Sequence, residues 1–136
     1  MEIVAKSDFI RISPRKLSLL ARSIRGLRAV FALEILKSLN KKAAQPLILT
    51  LKQGIGNAVN NFKLDEESLV IKRLEVGKGP VLKRGRPVSR GQWHGILKRT
   101  SNLRIFLEGE EKLPVGKQEH LPGKKERKGA KNGAKG

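Results

Sequence analysis

Residues 83–95 read KRGRPVSRGQWHG, and the shape of the fold follows from how that stretch is taken. Val81 and Leu82 precede it and Ile96 and Leu97 follow it, roughly symmetric about residue 89. Farther out, Leu69–Val76 and Leu103–Leu107 are rich in Val, Ile, Leu and Phe with charges interleaved, the composition of strands. The symmetry predicts that these two strands continue as the arms of one long hairpin, about residues 77–101, with its turn near Arg86–Gly91. Arms of about ten residues would project about 33 Å. A two-stranded ribbon of that length is not stable alone in water, so a partner must order it.

The charge around the ribbon says what kind of partner. Thirty Lys and Arg against 12 Asp and Glu give the 136-residue chain a net charge of +18. Residues 78–107 contain eight basic side chains and no acidic one. A body this cationic attracts polyanions, so nucleic acid or an anionic membrane is the default partner. The chain has no Cys, which excludes disulfides and thiolate metal sites, and its two His cannot form a His-rich centre. Its start carries acids and no signal-like apolar run, and its apolar runs are far below the ~20 residues a membrane helix needs. The expectation is a soluble intracellular polyanion binder with no cofactor and no metal. Residues 109–136 are poor in apolar side chains and hold six Gly and two Pro, which predicts a disordered basic tail after a domain over 1–108.

Before the ribbon, hydrophobic periodicity predicts three helices. Ser13-Pro14 is a start signal, with Ser as N-cap and Pro at the first helical position. Leu17, Leu20, Ala21 and Ile24 then form a stripe that Gly26 ends. A second stripe, Ala29, Ala32, Leu33 and Leu36, ends near Asn40. A third runs Ala44, Leu47, Ile48, Leu51, Ile55, Ala58, Val59 and Phe62, with Asn40 as its expected N-cap. Gly54 and Gly56 should weaken it unless a neighbouring backbone packs closely there. Ile3–Ile12, ahead of the first helix, reads as a strand. The fold class is therefore α+β, with three helices packed on a small antiparallel sheet and a long protruding β-hairpin.

Lys78, Lys83, Arg84, Arg86, Arg90, Lys98 and Arg99 are the candidate phosphate contacts of the ribbon, since Arg pairs bidentately with phosphate and stacks on bases. Trp93 and His94 offer stacking faces. The blander readings are a solvated loop and, for Trp93, a buried core anchor. Arg15, Lys16 and Arg25 lie off the first helical stripe and, with Lys41 and Lys42, suit phosphate clamping as well as a solubilising surface. Asn57, Asn60 and Asn61 either cap the third helix or meet RNA edges. Catalysis is not expected. Gly77-Lys78-Gly79-Pro80 lacks the Gly-Lys-Ser/Thr of a phosphate-binding loop, His94 has no acid near it, and Asp65-Glu66-Glu67 suits a turn before a strand.

Six short motifs also occur in a particular order: S-P-R-K (Ser13–Lys16), I-R-G (Ile24–Gly26), N-K-K-A-A (Asn40–Ala44), N-A-x-x-N (Asn57–Asn61), G-P-x-x-K-R (Gly79–Arg84) and I-L-K-R-T-S (Ile96–Ser101). In order and spacing the chain resembles the universal large-subunit ribosomal protein 22 family in its bacterial form, over roughly residues 3–108. The resemblance implies a cytoplasmic, structural constituent of the large ribosomal subunit that binds 23S-type rRNA and assists assembly. It implies a globular body near the peptide exit, and a hairpin threading rRNA whose tip, Arg86, Pro87, Val88, Ser89, Arg90 and Gly91, lines the nascent-chain tunnel. Implied partners are rRNA, neighbouring ribosomal proteins including ribosomal protein 4 of the large subunit, and the nascent chain in passing, with no membrane and no homo-oligomer. Lys98, Arg99, Thr100 and Ser101 would bind rRNA and anchor the returning arm. Val88 and Gln92 stand where the family usually carries Arg, so the tip should be less positive. Trp93-His94-Gly95, Gln53–Ala58 and Val59-Asn60 depart from the family as well. A free-standing nucleoid or RNA-chaperone protein is the alternative, and a cationic membrane-surface protein a weaker one, because the helical stripes are sized for a core.

Overall fold

Alternation in the strands and the 3.6-residue stripes in the helices bury one common set of side chains. The computed structural model describes residues 1–109. Their order is β1 (Glu2–Ile10), α1 (Pro14–Ile24), α2 (Ala29–Ser38), α3 (Ala44–Phe62), a 3-10 turn (Glu66–Ser68), β2 (Val70–Pro87), a second 3-10 turn (Ser89–Gly91) and β3 (Trp93–Glu108). The strands form one antiparallel sheet in the order β1-β3-β2. Ile3, Ala5, Ile71, Leu103, Ile105 and Leu107 point inward from it and meet Leu17, Leu20, Ile24, Leu36, Leu47, Leu51 and Ile55 of the helices. The α+β architecture and the long hairpin read from the sequence are both present. The expected tail over 109–136 lies, beyond Gly109, outside the described residues.

The first helical stripe is buried as its spacing requires. Pro14 occupies the first helical position, but the Ser13 hydroxyl makes no capping bond. The Ser13 carbonyl accepts from the amides of Lys16 and Leu17 instead, at 3.1 and 3.2 Å. Gly26 ends the helix at φ +78°, where a side chain would be strained. The amide of Gly26 then donates to the Ile71 carbonyl and that of Ile71 to the Leu27 carbonyl, both at 2.9 Å, which ties the α1–α2 connection to β2.

Several boundaries fall elsewhere than the sequence suggests. β1 stops at Ile10 rather than Ile12. Asn40 is not the cap of α3: Ala43 holds that position, and the turn is made by backbone, Ala44 N–H to the Lys41 carbonyl at 2.9 Å. Pro46 therefore falls in the first turn, where an amide has no intrahelical acceptor to lose. At the far end the left-handed cap is Lys63 (φ 53°), not one of the asparagines. Val59 and Phe62, at the end of the third stripe, are exposed rather than part of the core. Of the two helical glycines, Gly54 meets the sheet and Gly56 faces open space.

β2 and β3 pair from Val70↔Glu108 to Pro87↔Trp93, interrupted by register shifts near Lys72 and between Lys78 and Val81. From Val81 to Arg99 every residue except Gly85 is exposed, so the outer ribbon has no core of its own.

Candidate nucleic-acid interface

Residues directly paired across an antiparallel ladder project to the same face, and successive pairs alternate faces. Along the ribbon this places Val81 beside Arg99, Leu82 beside Lys98, Lys83 beside Leu97 and Arg84 beside Ile96. Each rung joins one apolar residue to one cation. The rule holds on both faces, so neither is a core face and neither is free of positive charge. Arg86 and His94 form a further exposed pair toward the tip.

The tip closes through Val88 N–H to the Gln92 carbonyl at 2.9 Å. Arg90 (φ 58°) and Gly91 (φ 68°) turn the chain in the left-handed region, which leaves the Arg90 side chain exposed. Trp93 is no core anchor: it is 70% exposed. Its indole lies across Gly85, where a Cβ would overlap the ring.

The ion pairs among the described residues are Lys72–Glu108 (3.3 Å) and Arg73–Glu75 (3.6 Å), both on the sheet beneath the ribbon. Arg73 also covers Phe106, 3.9 Å from the ring centroid. None of the ribbon cations takes part in an ion pair among the described residues. Among the described residues, Arg84 alone of these cations makes a side-chain hydrogen bond, donating to the Lys83 carbonyl at 2.8 Å.

Two residues expected to touch RNA are used inside the protein. Thr100 and Ser101 are buried. Thr100 Oγ1 donates to the Pro80 carbonyl at 2.6 Å, and Ser101 Oγ donates to the Ile12 carbonyl at 2.9 Å. They fix the returning arm, but their hydroxyls are already engaged. Lys98 and Arg99, just before them, are exposed.

On the body, Arg15 and Lys16 lie in the first turn of α1 and Arg25 just past its end, so a rise of about 14 Å along the helix separates them. Lys41 and Lys42 are exposed at the entrance to α3. These cations are spread over the surface rather than gathered. One grouping does form that the sequence reading missed. Arg11 and Ser13 reach the root of the ribbon and, with Arg84, Lys98 and Arg99, line a cleft of about 580 Å³. No local motif marks Arg11, because its position depends on the pairing of Ile10 with Ser101.

Among the described residues no group of three His, Asp or Glu could hold a metal ion, and no helix is long and apolar enough to cross a membrane.

Comparison with known proteins agrees with this geometry. The family described as Ribosomal protein L22p/L17e matches residues 5–108. The Large ribosomal subunit protein uL22 of Mycoplasma mycoides is 43% identical over 111 residues, covering 82% of this chain and 100% of the relative. Its namesake in Fusobacterium nucleatum is 44% identical with the same coverage. That of Rubrobacter xylanophilus is 42% identical over 126 residues, covering 93% of this chain and 98% of its own. With the match spanning the sheet, the helices and the whole ribbon, this chain belongs to the ribosomal protein L22p/L17e family.

Proposed function

We propose that this protein docks on large-subunit rRNA through its two-faced cationic ribbon, helps the subunit assemble, and lines the nascent-peptide tunnel with the ribbon tip. The coarser statement follows from family membership: it is a structural, non-catalytic protein of the bacterial large ribosomal subunit, in the cytoplasm. The observation that carries the finer reading is the acid-free ribbon with a cation on every rung from Val81↔Arg99 to Arg84↔Ile96. A protein lying on the outside of an RNA needs charge on one face. Charge on both faces suits a ribbon surrounded by phosphate.

In this reading Lys78, Lys83, Arg84, Arg86, Arg90, Lys98 and Arg99 neutralise phosphates along the ribbon, while Trp93 and His94 supply stacking surface. Arg15, Lys16, Arg25, Lys41 and Lys42 make separate phosphate contacts from the body. Thr100 and Ser101 hold the arm at its root. The tip from Arg86 to Gly91 borders the tunnel, next to ribosomal protein 4 of the large subunit and the passing chain. Val88 and Gln92 leave it less positive than the family norm.

The test is the salt dependence of binding to large-subunit rRNA. Counterion release gives a log–log slope of about −0.7 to −0.9 per phosphate neutralised. Replacing Lys83, Arg86 and Arg90 by Ala should flatten that slope by about 2 to 3, while the melting temperature of the free protein stays within about 3 °C, since all three are exposed. A slope unchanged by the triple substitution, or an affinity indifferent to salt between about 50 and 200 mM, would refute RNA docking through the ribbon. Co-sedimentation with large subunits in high-magnesium gradients separates this role from that of a free-standing nucleic-acid binder.

A further inference from the structure

Phe9 combines two features that destabilise the free protein. Its backbone is held at φ 56°, in the left-handed region that bulky residues avoid. Its ring is 68% exposed, so little burial offsets that strain. The register of the sheet is the cause. β1 and β3 pair from Glu2↔Glu108 to Ser7↔Leu103 and again at Ile10↔Ser101, which leaves Asp8 and Phe9 facing one residue, Asn102. Such a bulge re-aims a side chain. Here the Phe9 amide donates to Asn102 Oδ1 at 3.1 Å and pins the backbone that carries the ring. Strain held in place by its surroundings gathers at functional sites. The surface beside the ring says what it would meet. Ser101 and Leu103 are buried, so Asn102 and Arg104, which alternate with them, project from the sheet face away from the helices. Gly77 pairs with Asn102 from β2 and carries no side chain to cover it; a Cβ there would lie 3.9 Å from Asn102 Cβ. Lys6 and Arg104 form the next rung on that face, both exposed and neither in an ion pair among the described residues. Asp8 is the one acid of the bulge.

We propose that Phe9 and Asn102 form a base-stacking site that receives one unpaired nucleobase of single-stranded RNA. The ring supplies a stacking platform. Since Asn102 Oδ1 is engaged by Phe9, the side chain offers a ligand its Nδ2, which donates to an acceptor on the base edge. The bare backbone at Gly77 leaves room for a flat group beside the amide. A protein pocket would also take an aromatic ring, but Lys6 and Arg104 on the next rung favour a polyanionic strand. The site lies on the body, apart from the ribbon, and it holds a base where the ribbon cations meet phosphate. It rests on the RNA-docking reading above only for the source of the RNA.

The full chain labelled with 4-fluorophenylalanine tests this by fluorine NMR, since the sequence holds only four Phe and Phe9→Leu identifies the signal of position 9. The probes are octaadenylate, the same oligomer with abasic sugars, and an amphipathic, leucine-rich peptide of net negative charge. The Phe9 signal is expected to shift to saturation with octaadenylate. It should stay in place with the abasic oligomer, which carries the phosphates without the bases. Phe9→Gly should weaken octaadenylate binding about tenfold at roughly 200 mM salt, where diffuse attraction is reduced. Its melting temperature should hold or rise, because glycine adopts positive φ freely. Phe9→Trp keeps an aromatic face and should bind within about twofold of the native chain. An equal shift with the abasic oligomer would overturn base stacking, as would a Phe9→Gly variant that melts lower and keeps its affinity. A Phe9 signal that answers the peptide and not octaadenylate would assign the ring to a protein pocket and overturn the site. The variant Lys83→Ala, Arg86→Ala, Arg90→Ala separates this site from the ribbon. If its rRNA salt slope is unchanged while the Phe9 signal still shifts, ribbon docking falls and the base site stands. A silent Phe9 signal beside a flattened slope gives the reverse.

Discussion

Ser101 Oγ donates a 2.9 Å hydrogen bond to the carbonyl of Ile12, 89 residues earlier in the chain. Ser101 is 0% exposed and Ile12 half-buried, so the bond is partly shielded from water, between the root of the ribbon and the segment leading into α1. Removing the hydroxyl leaves a carbonyl without its partner, at a cost of about 1 to 3 kcal/mol. Ser101→Ala should therefore lower the urea midpoint of the full chain while leaving the salt slope of rRNA binding intact. The opposite pattern, unchanged stability with a flatter slope, would make Ser101 an RNA contact and not a structural tie.

The two glycines of α3 make a paired test, because they share a helix and differ in what they face. A Cβ at Gly54 would sit 2.9 Å from Leu107 Cδ1 and 3.2 Å from Ala5 Cβ, whereas one at Gly56 would meet nothing within 4 Å. In a helix Ala is ordinarily favoured over Gly by about 0.8 to 1 kcal/mol. Gly56→Ala should gain roughly that amount. Gly54→Ala should lose about 1 to 3 kcal/mol, because Leu107 is fully buried and Ala5 is fixed in the sheet. Thermal melts of the two variants should move in opposite directions; movement in the same direction would mean that α3 does not press on the sheet at Gly54.

Much of this arrangement was written locally in the sequence, and the parts that were not share a cause. The α1 stripe Leu17, Leu20, Ala21 and Ile24 was readable because a Ser-Pro start and a Gly stop frame it. The hairpin was readable because Val81 and Leu82 mirror Ile96 and Leu97. Asn40 misled because the start of α3 is set by a backbone bond from Ala44 to Lys41, which leaves no side-chain signature. Thr100 and Ser101 resembled RNA-facing hydroxyls beside Lys98 and Arg99, but their acceptors, Pro80 and Ile12, are brought near only by the folded register. The same holds for Arg11. Its place in the cleft depends on a pairing between strands at opposite ends of the described chain, and periodicity has no access to that.

Trp93 is the single tryptophan of the chain, so its emission reports on the ribbon alone. The indole rests on Gly85, on the strand opposite, an arrangement in which an aromatic ring covers backbone that a glycine leaves bare. Gly85→Val should force the ring off that surface. The expected result is greater quenching by acrylamide and a red-shifted emission, while the melting transition followed by far-ultraviolet circular dichroism moves by less than about 3 °C, the ribbon lying outside the core. Quenching equal to that of the native protein would mean that the ring does not rest there.

Phe9 is held at φ 56° at a register break in β1, with its amide donating to Asn102 Oδ1 at 3.1 Å. A bulky residue in the left-handed region costs about 1 to 2 kcal/mol relative to one that adopts it freely. The ring offsets little of this by burial, since the residue is 68% exposed. Comparing Phe9→Asn with Phe9→Ala isolates the backbone effect, because both remove the ring and Asn tolerates the left-handed region better than Ala. The Asn variant should be more stable by about 1 kcal/mol, and a domain of this size should then melt about 4 to 8 °C higher. Phe9→Gly should match or exceed it, since glycine adopts positive φ without steric cost. Were Ala to equal or surpass Asn, the left-handed backbone at position 9 would carry no steric cost; Asn102→Ala tests the tie separately and should cost about 0.5 to 1.5 kcal/mol through the lost amide partner.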